Sequence, residues 1–190
     1  HPMLGWSIDA ATAAGAKRIV TVLSPGSESI QSWLNGAPFA IQEQQLGTGN
    51  AVAAARDAVE TDDGIAVVMF ADTPLVTAES IASLAHAIED GASLAVAAFK
   101  ATDPSGYGRV VRNDKGNITG IVEDRDATSK QRTIRLCNGG IMAARTPLLF
   151  DLLASITNDN AKQEYYLTDI IGMATDAGHE VTYSLSLIHI

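Results

Sequence analysis

The chain predicts an α/β fold, a sheet with helices against its faces, and three observations carry that prediction. Apolar strand-like runs alternate with helical stretches through the first half, the order expected of a largely parallel sheet. The run Ile65-Ala-Val-Val-Met-Phe70 is apolar throughout, as strands covered on both faces are, and is expected at the centre of the sheet. Finally, Gly47-Thr48-Gly49 joins a strand to an alanine-rich helix, a joint where glycines let the backbone come close to a planar or anionic ligand. At 190 residues and 46% hydrophobic composition, the chain has the material for one ordinary domain with a continuous core.

Taken in order, residues 3–15 have the spacing of an amphipathic helix and 18–24 that of a buried strand. A short helix at 27–34 and a strand at 39–44 lead into the glycine loop, where Thr48 and Asn50 are expected to cap the helix that continues through 52–59. The central strand at 65–70 is stopped by Ala71-Asp72-Thr73-Pro74. Residues 77–90 form a helix with Thr77 and Glu79 near its start, and 93–99 return as a strand. The turn-rich stretch 103–109 precedes a hairpin, 110–112 and 118–123, around Asn113-Asp114-Lys115-Gly116. Residues 136–144 are a strand containing Asn138-Gly139-Gly140. Helices at 147–156 and 166–177 and a last strand at 180–183 complete the pattern, with no repeat or low-complexity linker.

Ligands of open α/β sheets collect at the carboxyl ends of strands, which singles out Asp72: a carboxylate there can hold Mg²⁺ against phosphate oxygens, or can cap a turn. Gln42 and Gln45 carry amides suited to the edge of a nucleobase. Glu123 and Asn138 put polar groups at or within strands, where they can meet the hydroxyls of a sugar or simply face water. Gly108, in Gly106-Tyr107-Gly108, can bring a backbone amide to a ligand. Thr168 and Asp169 sit at a helix start, and helix-start chemistry is their ordinary role.

The bulk properties exclude several classes. A net charge of −9, with 13 basic against 22 acidic residues and no basic cluster, argues against nucleic acid as a partner. The single cysteine, Cys137, rules out an internal disulfide and reads as a small core residue, in keeping with a reducing compartment. No apolar run is long enough to span a bilayer and nothing has the form of a signal peptide, so the expected location is the cytoplasm, without membrane association. His1, His86, His179 and His189 have no metal-ligand spacing, and His86 has no evident partner. Neither a catalytic triad order nor the Gly-x-x-x-x-Gly-Lys-Ser/Thr phosphate loop is present.

Seven segments in sequence, Gln42-Glu-Gln-Gln-Leu-Gly-Thr-Gly49, Phe70-Ala-Asp-Thr-Pro-Leu75, Asp103-Pro-Ser-Gly-Tyr-Gly-Arg109, Gly120-Ile-Val-Glu123, Asp126-Ala-Thr128, Asn138-Gly-Gly-Ile141 and Glu164-Tyr-Tyr-Leu-Thr-Asp169, resemble one family across nearly the whole chain. It is the uridylyltransferase domain of the bacterial bifunctional N-acetylglucosamine-1-phosphate uridylyltransferase/glucosamine-1-phosphate acetyltransferases. The resemblance implies a Rossmann-like nucleotidyltransferase domain, a mixed sheet flanked by helices. It further implies transfer of uridylate from UTP to N-acetylglucosamine 1-phosphate, giving UDP-N-acetylglucosamine for cell-wall precursors and releasing pyrophosphate. By motif match, Gln42, Gln45, Gly47 and Thr48 contact the uridine part; Asp72 holds Mg²⁺; Gly108, Glu123, Asn138 and Thr168 contact the sugar side. No protein nucleophile is required, because the sugar phosphate supplies its own.

Three departures accompany the resemblance. The family's first strand and Leu-Ala-Ala-Gly-x-Gly-Thr-Arg-Met loop, with a downstream Pro-Lys, precede the segment that matches His1-Pro2-Met3. Its Glu-x-x-Gly-x-Asn segment, with a second Mg²⁺ ligand, follows the last strand, where this chain reads Ser184-Leu-Ser-Leu-Ile-His-Ile190. Many relatives also have Tyr-Gly in place of Phe70-Ala71. The expectation is therefore a partial domain, 1–190, without the phosphate loop or the β-helix acetyltransferase domain, inactive alone and monomeric, whereas the intact protein is a trimer. Two other readings stand beside it: a sibling sugar-1-phosphate nucleotidyltransferase with another sugar or base, and a non-catalytic nucleotide-sugar-binding module.

Overall fold

A computed structural model describes residues 2–59, 64–73 and 75–185; the expectations placed on His1, Pro74, His189 and the tail beyond Leu185 lie outside those residues. The elements run α1 (Met3–Ala13), β1 (Thr21–Leu23), α2 (Glu28–Leu34), β2 (Phe39–Ile41), α3 (Thr48–Ala54), β3 (Ile65–Val68), α4 (Ala78–Glu89) and β4 (Leu94–Lys100). They continue with β5 (Arg109–Arg112), β6 (Ile118–Val122), α5 (Ser129–Arg132), β7 (Leu136–Arg145), α6 (Thr146–Leu153), α7 (Asp169–Asp176) and β8 (Val181–Leu185). One short helix, α5, was not expected. Its signal is the capping box of Thr128 and Gln131, whose side chains bond reciprocally to each other's backbone amides.

The main sheet has the order β6-β5-β7-β4-β8, with β3 also paired to β7, and helices cover both faces. Because side chains alternate along a strand, Leu94, Val96 and Ala98 of β4 face Leu149, Phe150 and Leu153 of α6 and Ile170, Ile171 and Ala174 of α7. Ala95 and Ala97, on the opposite face, pack with Ile81, Leu84 and Ile88 of α4 and Ala11 of α1. Leu84 and Ile88 are fully buried, so truncating either to alanine costs about 2–5 kcal/mol. β1 and β2 form a separate parallel pair, Thr21 opposite Phe39.

Two expectations are corrected. The sheet is mixed, as the resemblance implied, and not largely parallel: β4 and β8 run parallel, whereas β3, β4 and β5 are all antiparallel to β7 and β5 to β6. Apolar periodicity carries no strand direction, and the hairpin β5–β6 together with the long return strand β7 set the antiparallel part. Nor is residues 65–70 the central strand. β3 spans only Ile65–Val68, is half-buried and pairs only with β7 among the described strands, while β4 and β7 are the buried centre. A strand's hydrophobicity reports what covers its faces, here α4 and α6, and not its number of neighbours in the sheet.

β7 positions the site. Along one edge it pairs with β5 at Cys137 and then with β3 from Met142 to Arg145. Along the other it pairs with β4, but the register jumps from Val96 opposite Met142 to Ala98 opposite Asn138. The extra residues bulge, and the bulge needs glycine twice. A Cβ on Gly139 would lie 3.0 Å from the Ala97 carbonyl oxygen, and Gly140 has φ +78° with Phe70 packed 3.3 Å from where its Cβ would be. Asn138 therefore projects where the sheet changes partner strands.

Candidate functional site

The bulge gathers four sequence-predicted residues. The Asn138 amide donates to the Gly108 carbonyl at 2.8 Å, and the Asn138 side-chain oxygen accepts from the Gly140 amide at 3.1 Å. A Cβ on Gly108 would sit 3.0 Å from Ile121, 3.4 Å from Glu123 Oε1 and 3.5 Å from Asn138 Cβ, so the glycine here permits the close approach of those two side chains. Thr168, buried just ahead of α7, donates its hydroxyl to Glu123 Oε1 at 2.9 Å. Its side chain makes no capping hydrogen bond to its own helix. Gly108, Glu123, Asn138 and Thr168 thus form one constellation, brought together from a loop, the end of β6, β7 and the start of α7.

α7 reaches that place through a second close approach. Gly172 lies against β6, its Cβ position 3.7 Å from the Thr119 carbonyl, to which Thr175 also donates at 3.2 Å. An open cleft of about 500 Å³ lies between β6 and α7, lined by Gly120, Ile121, Ser155, Thr157, Asp169 and Gly172 among others. Of the residues predicted to contact the sugar only Thr168 borders it, so the cleft adjoins the constellation without being its centre.

The uridine-side candidates form a second group with a different internal logic from the expected one. Gly47 precedes α3 and neither Thr48 nor Asn50 caps it. The Thr48 hydroxyl instead accepts from the Leu167 amide at 3.0 Å, and the Gln42 side-chain amide donates to the Gly47 carbonyl at 3.0 Å and to Asn50 Oδ1 at 2.8 Å. The capping expectation fails because a longer-range partner, the 164–168 segment, takes the hydroxyl. That segment also accounts for the glycines: Tyr165 N donates to Leu46 O at 2.7 Å and Gly49 N to Tyr165 O at 2.8 Å. A Cβ on Gly47 would stand 2.7 Å from both backbone atoms of Tyr165. What approaches the glycine loop within the fold is its own chain. Gln45 is exposed in the loop and takes no part in these bonds.

Asp72 stands exposed on the turn after β3, two residues beyond Phe70, whose ring rests on Gly140. The turn is closed by Thr73, which donates its hydroxyl to the Phe70 carbonyl at 2.8 Å. Substitution of Phe70 for tyrosine therefore concerns packing on the bulge. Among the described residues no group of three or more His, Cys, Asp or Glu side chains is placed to hold a metal ion. A lone carboxylate nonetheless suits Mg²⁺, which binds through one or two carboxylates together with substrate phosphates and waters.

Other residues complete the surroundings outside the predicted contact set. Asp169 is half-buried, and burial, then the charges of Glu123 and Asp126, hold its carboxyl above the ordinary value. Burial likewise raises the Tyr166 phenol, with Asp126, Glu164 and Glu123 adding to it. Asn160 fastens the segment leading into Tyr165: its Oδ1 accepts from the amides of Lys162 and Glu164, both at 3.2 Å. Arg109 is buried and paired with Asp124 at 2.8 Å. Its sequence signal is a fixed charge leading an apolar strand. Cys137 is buried with its thiol pushed up by burial, as a core residue should be. His86 does have a neighbour, Glu89 at 3.9 Å one helical turn on, an exposed pair of little energetic weight. No helix among the described residues is long and apolar enough to cross a membrane.

The chain is similar to known nucleotidyltransferases in sequence and in fold. The model of the MobA-like NTP transferase domain matches residues 1–165. The bifunctional protein GlmU of Maricaulis maris is 45% identical over 176 residues, which is 92% of this chain and 39% of that protein. The GlmU of Hyphomonas neptunium is 41% identical over 190 residues, 98% of this chain and 41% of its own. The chain thus spans about two fifths of the length of the curated relatives it matches. A solved structure, UDP-glucose pyrophosphorylase complexed with UDP-glucose, aligns over 96% of this chain and 78% of its own with a TM-score of 0.75 and 17% identity, a likeness of fold.

Proposed function

The chain belongs to the MobA-like NTP transferase family, and from that premise we propose that it is the uridylyl-transferring part of a bifunctional enzyme of the GlmU kind. The reaction proposed is UTP with N-acetylglucosamine 1-phosphate, giving UDP-N-acetylglucosamine and pyrophosphate. The single observation that carries it is the convergence of Gly108, Glu123, Asn138 and Thr168 at the β7 bulge, in a chain 45% identical to a GlmU protein.

In this reading an oxygen of the sugar phosphate attacks the α-phosphorus of UTP. The new P–O bond forms as the bond to the β-phosphate bridging oxygen breaks, and pyrophosphate leaves with the electron pair. Such a transfer asks the protein for position and charge, and no nucleophilic side chain is used. Gln42, Gln45, Gly47 and Thr48 hold the uridine end. With the Thr48 hydroxyl engaged by Leu167, its contribution there is through the backbone and through the loop's shape. Gly108, Glu123, Asn138 and Thr168 hold the sugar end, Glu123 accepting from sugar hydroxyls while Thr168 fixes its rotamer. Asp72 would hold Mg²⁺, which when bound neutralises phosphate charge.

Setting and assembly belong to the same proposal: a cytoplasmic enzyme supplying peptidoglycan and lipopolysaccharide precursors. In it, residues 1–190 are one part of a nucleotidyltransferase domain, and the assembly is a trimer through an acetyltransferase part. The test is pyrophosphate release by the product of the complete coding region, given UTP, Mg²⁺ and either N-acetylglucosamine 1-phosphate or glucose 1-phosphate. A clear preference for the N-acetylated sugar is the expected result. Equal use of both sugars, or preference for another base, would move the assignment to a sibling transferase.

A further inference from the structure

Arg109 opens β5 with the residue 1% exposed, among the largest fully buried side chains of the described residues. A guanidinium is always charged, and in a core it persists only with partners good enough to offset its lost hydration. The partners here come from two different stretches of chain. One terminal nitrogen donates to the Tyr107 carbonyl, and the other to Asp124 Oδ1 at 2.8 Å. Tyr107 immediately precedes Gly108, and Asp124 immediately follows Glu123. The Asp124 carboxyl is held below its ordinary value, first by the Arg109 hydrogen bond and further by the Gly106 backbone amide and the charges of Arg109 and Arg132. Arg132 of the short helix α5 donates to the Asp124 carbonyl at 3.4 Å and fastens that stretch from behind. The third nitrogen, Nε, is buried without a hydrogen-bond partner among the described residues. The two bonds of the fork are therefore what offsets the buried charge at this position.

We propose that Arg109 is a positioning residue that sets the spacing between the two walls of the sugar pocket, the Gly108 loop and the Glu123 strand end. The inference rests on the nucleotide-sugar reading above. It separates the two ends of the site, because the uridine side is tied by other bonds, those of Tyr165 and Leu167 to Leu46, Thr48 and Gly49. Loosening the Arg109 fork therefore weakens recognition of the sugar phosphate and leaves recognition of UTP in place.

Two variants test it in the protein from the complete coding region. Arg109→Lys keeps the charge but has no planar fork to reach both partners, and Asp124→Asn, at a position 32% exposed, removes the ion pair while keeping an Oδ1 acceptor for the fork. The expected result is a KM for N-acetylglucosamine 1-phosphate raised about tenfold in both, a KM for UTP within about twofold of wild type, and a reduced preference for the N-acetylated sugar over glucose 1-phosphate. Should Arg109→Lys fail to fold, Asp124→Asn alone carries the comparison. A wild type inactive with either sugar overturns the nucleotide-sugar reading and this inference with it. A wild type that turns over, with variants whose two KM values move together or not at all, overturns this inference alone.

Discussion

Thr168 donates its hydroxyl to the Glu123 carboxylate across 2.9 Å, joining the start of α7 to the end of β6 over a sequence separation of 45 residues. The bond fixes which way a half-buried carboxylate points. Thr168→Val keeps the shape and removes the donor. Hydrogen bonds to charged groups are worth about 1.5–3 kcal/mol, and partial exposure of Glu123 places the loss at the lower end, about 1.5 kcal/mol. Urea unfolding measures that loss. In the full-length protein the same variant should raise the KM for the sugar phosphate more than that for UTP, with Thr168→Ser close to wild type. Equal kinetics for Thr168→Val and wild type would remove Thr168 from the sugar side.

Gly47 and Gly49 differ in what a side chain would meet. At Gly49 a Cβ comes 2.4 Å from the tip of Ile156, which can turn aside, and 3.1 Å from the Tyr165 carbonyl. Gly49→Ala should cost about 1–3 kcal/mol, as overpacking generally does. At Gly47 the clash is 2.7 Å to backbone nitrogen and oxygen of Tyr165, neither of which can rotate away, and φ is +116°. Gly47→Ala should therefore destabilise more than Gly49→Ala, both read by urea midpoint at unchanged slope. The reverse order would mean that the 164–168 segment yields easily and is not what the glycines serve.

Those two glycines also mark how far the sequence could be read. Gly-Thr-Gly announces a close backbone approach, and the approach is real, but local sequence does not say by what; the partner lies more than a hundred residues away. The helices and most strands were legible because their periodicity is local, and the seven motifs group Gly108, Glu123, Asn138 and Thr168 by resemblance alone. Strand direction and the rank of β3 in the sheet were not, since pairing is decided between distant segments. The β7 bulge lies between these cases. Asn138-Gly139-Gly140 is visible in an apolar run, yet the two-sided pairing that demands it appears only when β3, β4 and β5 are seen on one strand. Arg109 was hidden for a similar reason, its meaning residing in Asp124 across the hairpin.

Asp169 gives a pH signature. Burial, then Glu123 and Asp126, raise its folded-state pKa above the ordinary aspartate value. The folded state accordingly holds this proton more tightly than the unfolded chain. The stabilisation is complete below the unfolded value and is lost as pH rises through the higher folded value. Asp169→Asn cannot lose a proton. Its stability relative to wild type should rise with pH across the window from about 3.8 upward and then level off. Thermal melts of both proteins at a series of pH values read the difference directly. A difference constant with pH, or one that falls, would mean that the α7 N-terminus favours the ionised carboxylate enough to outweigh burial.

Asp72 should behave in the opposite way, with a large effect on activity and almost none on folding. Its side chain is exposed on the turn after β3. Surface substitutions away from caps and networks stay within about 0.5 kcal/mol, so Asp72→Asn should melt with the wild type. If Asp72 holds Mg²⁺, the same variant loses a charged ligand, and several kcal/mol of phosphate neutralisation corresponds to a fall of about a hundredfold or more in turnover. Raised Mg²⁺ should recover part of that loss, and a chelator should abolish wild-type turnover until Mg²⁺ is restored. The comparison of melt and rate in one variant separates a ligand from a turn residue. A capping aspartate would lower the melting temperature and spare the rate, whereas a metal ligand spares the fold and makes the rate depend on magnesium concentration.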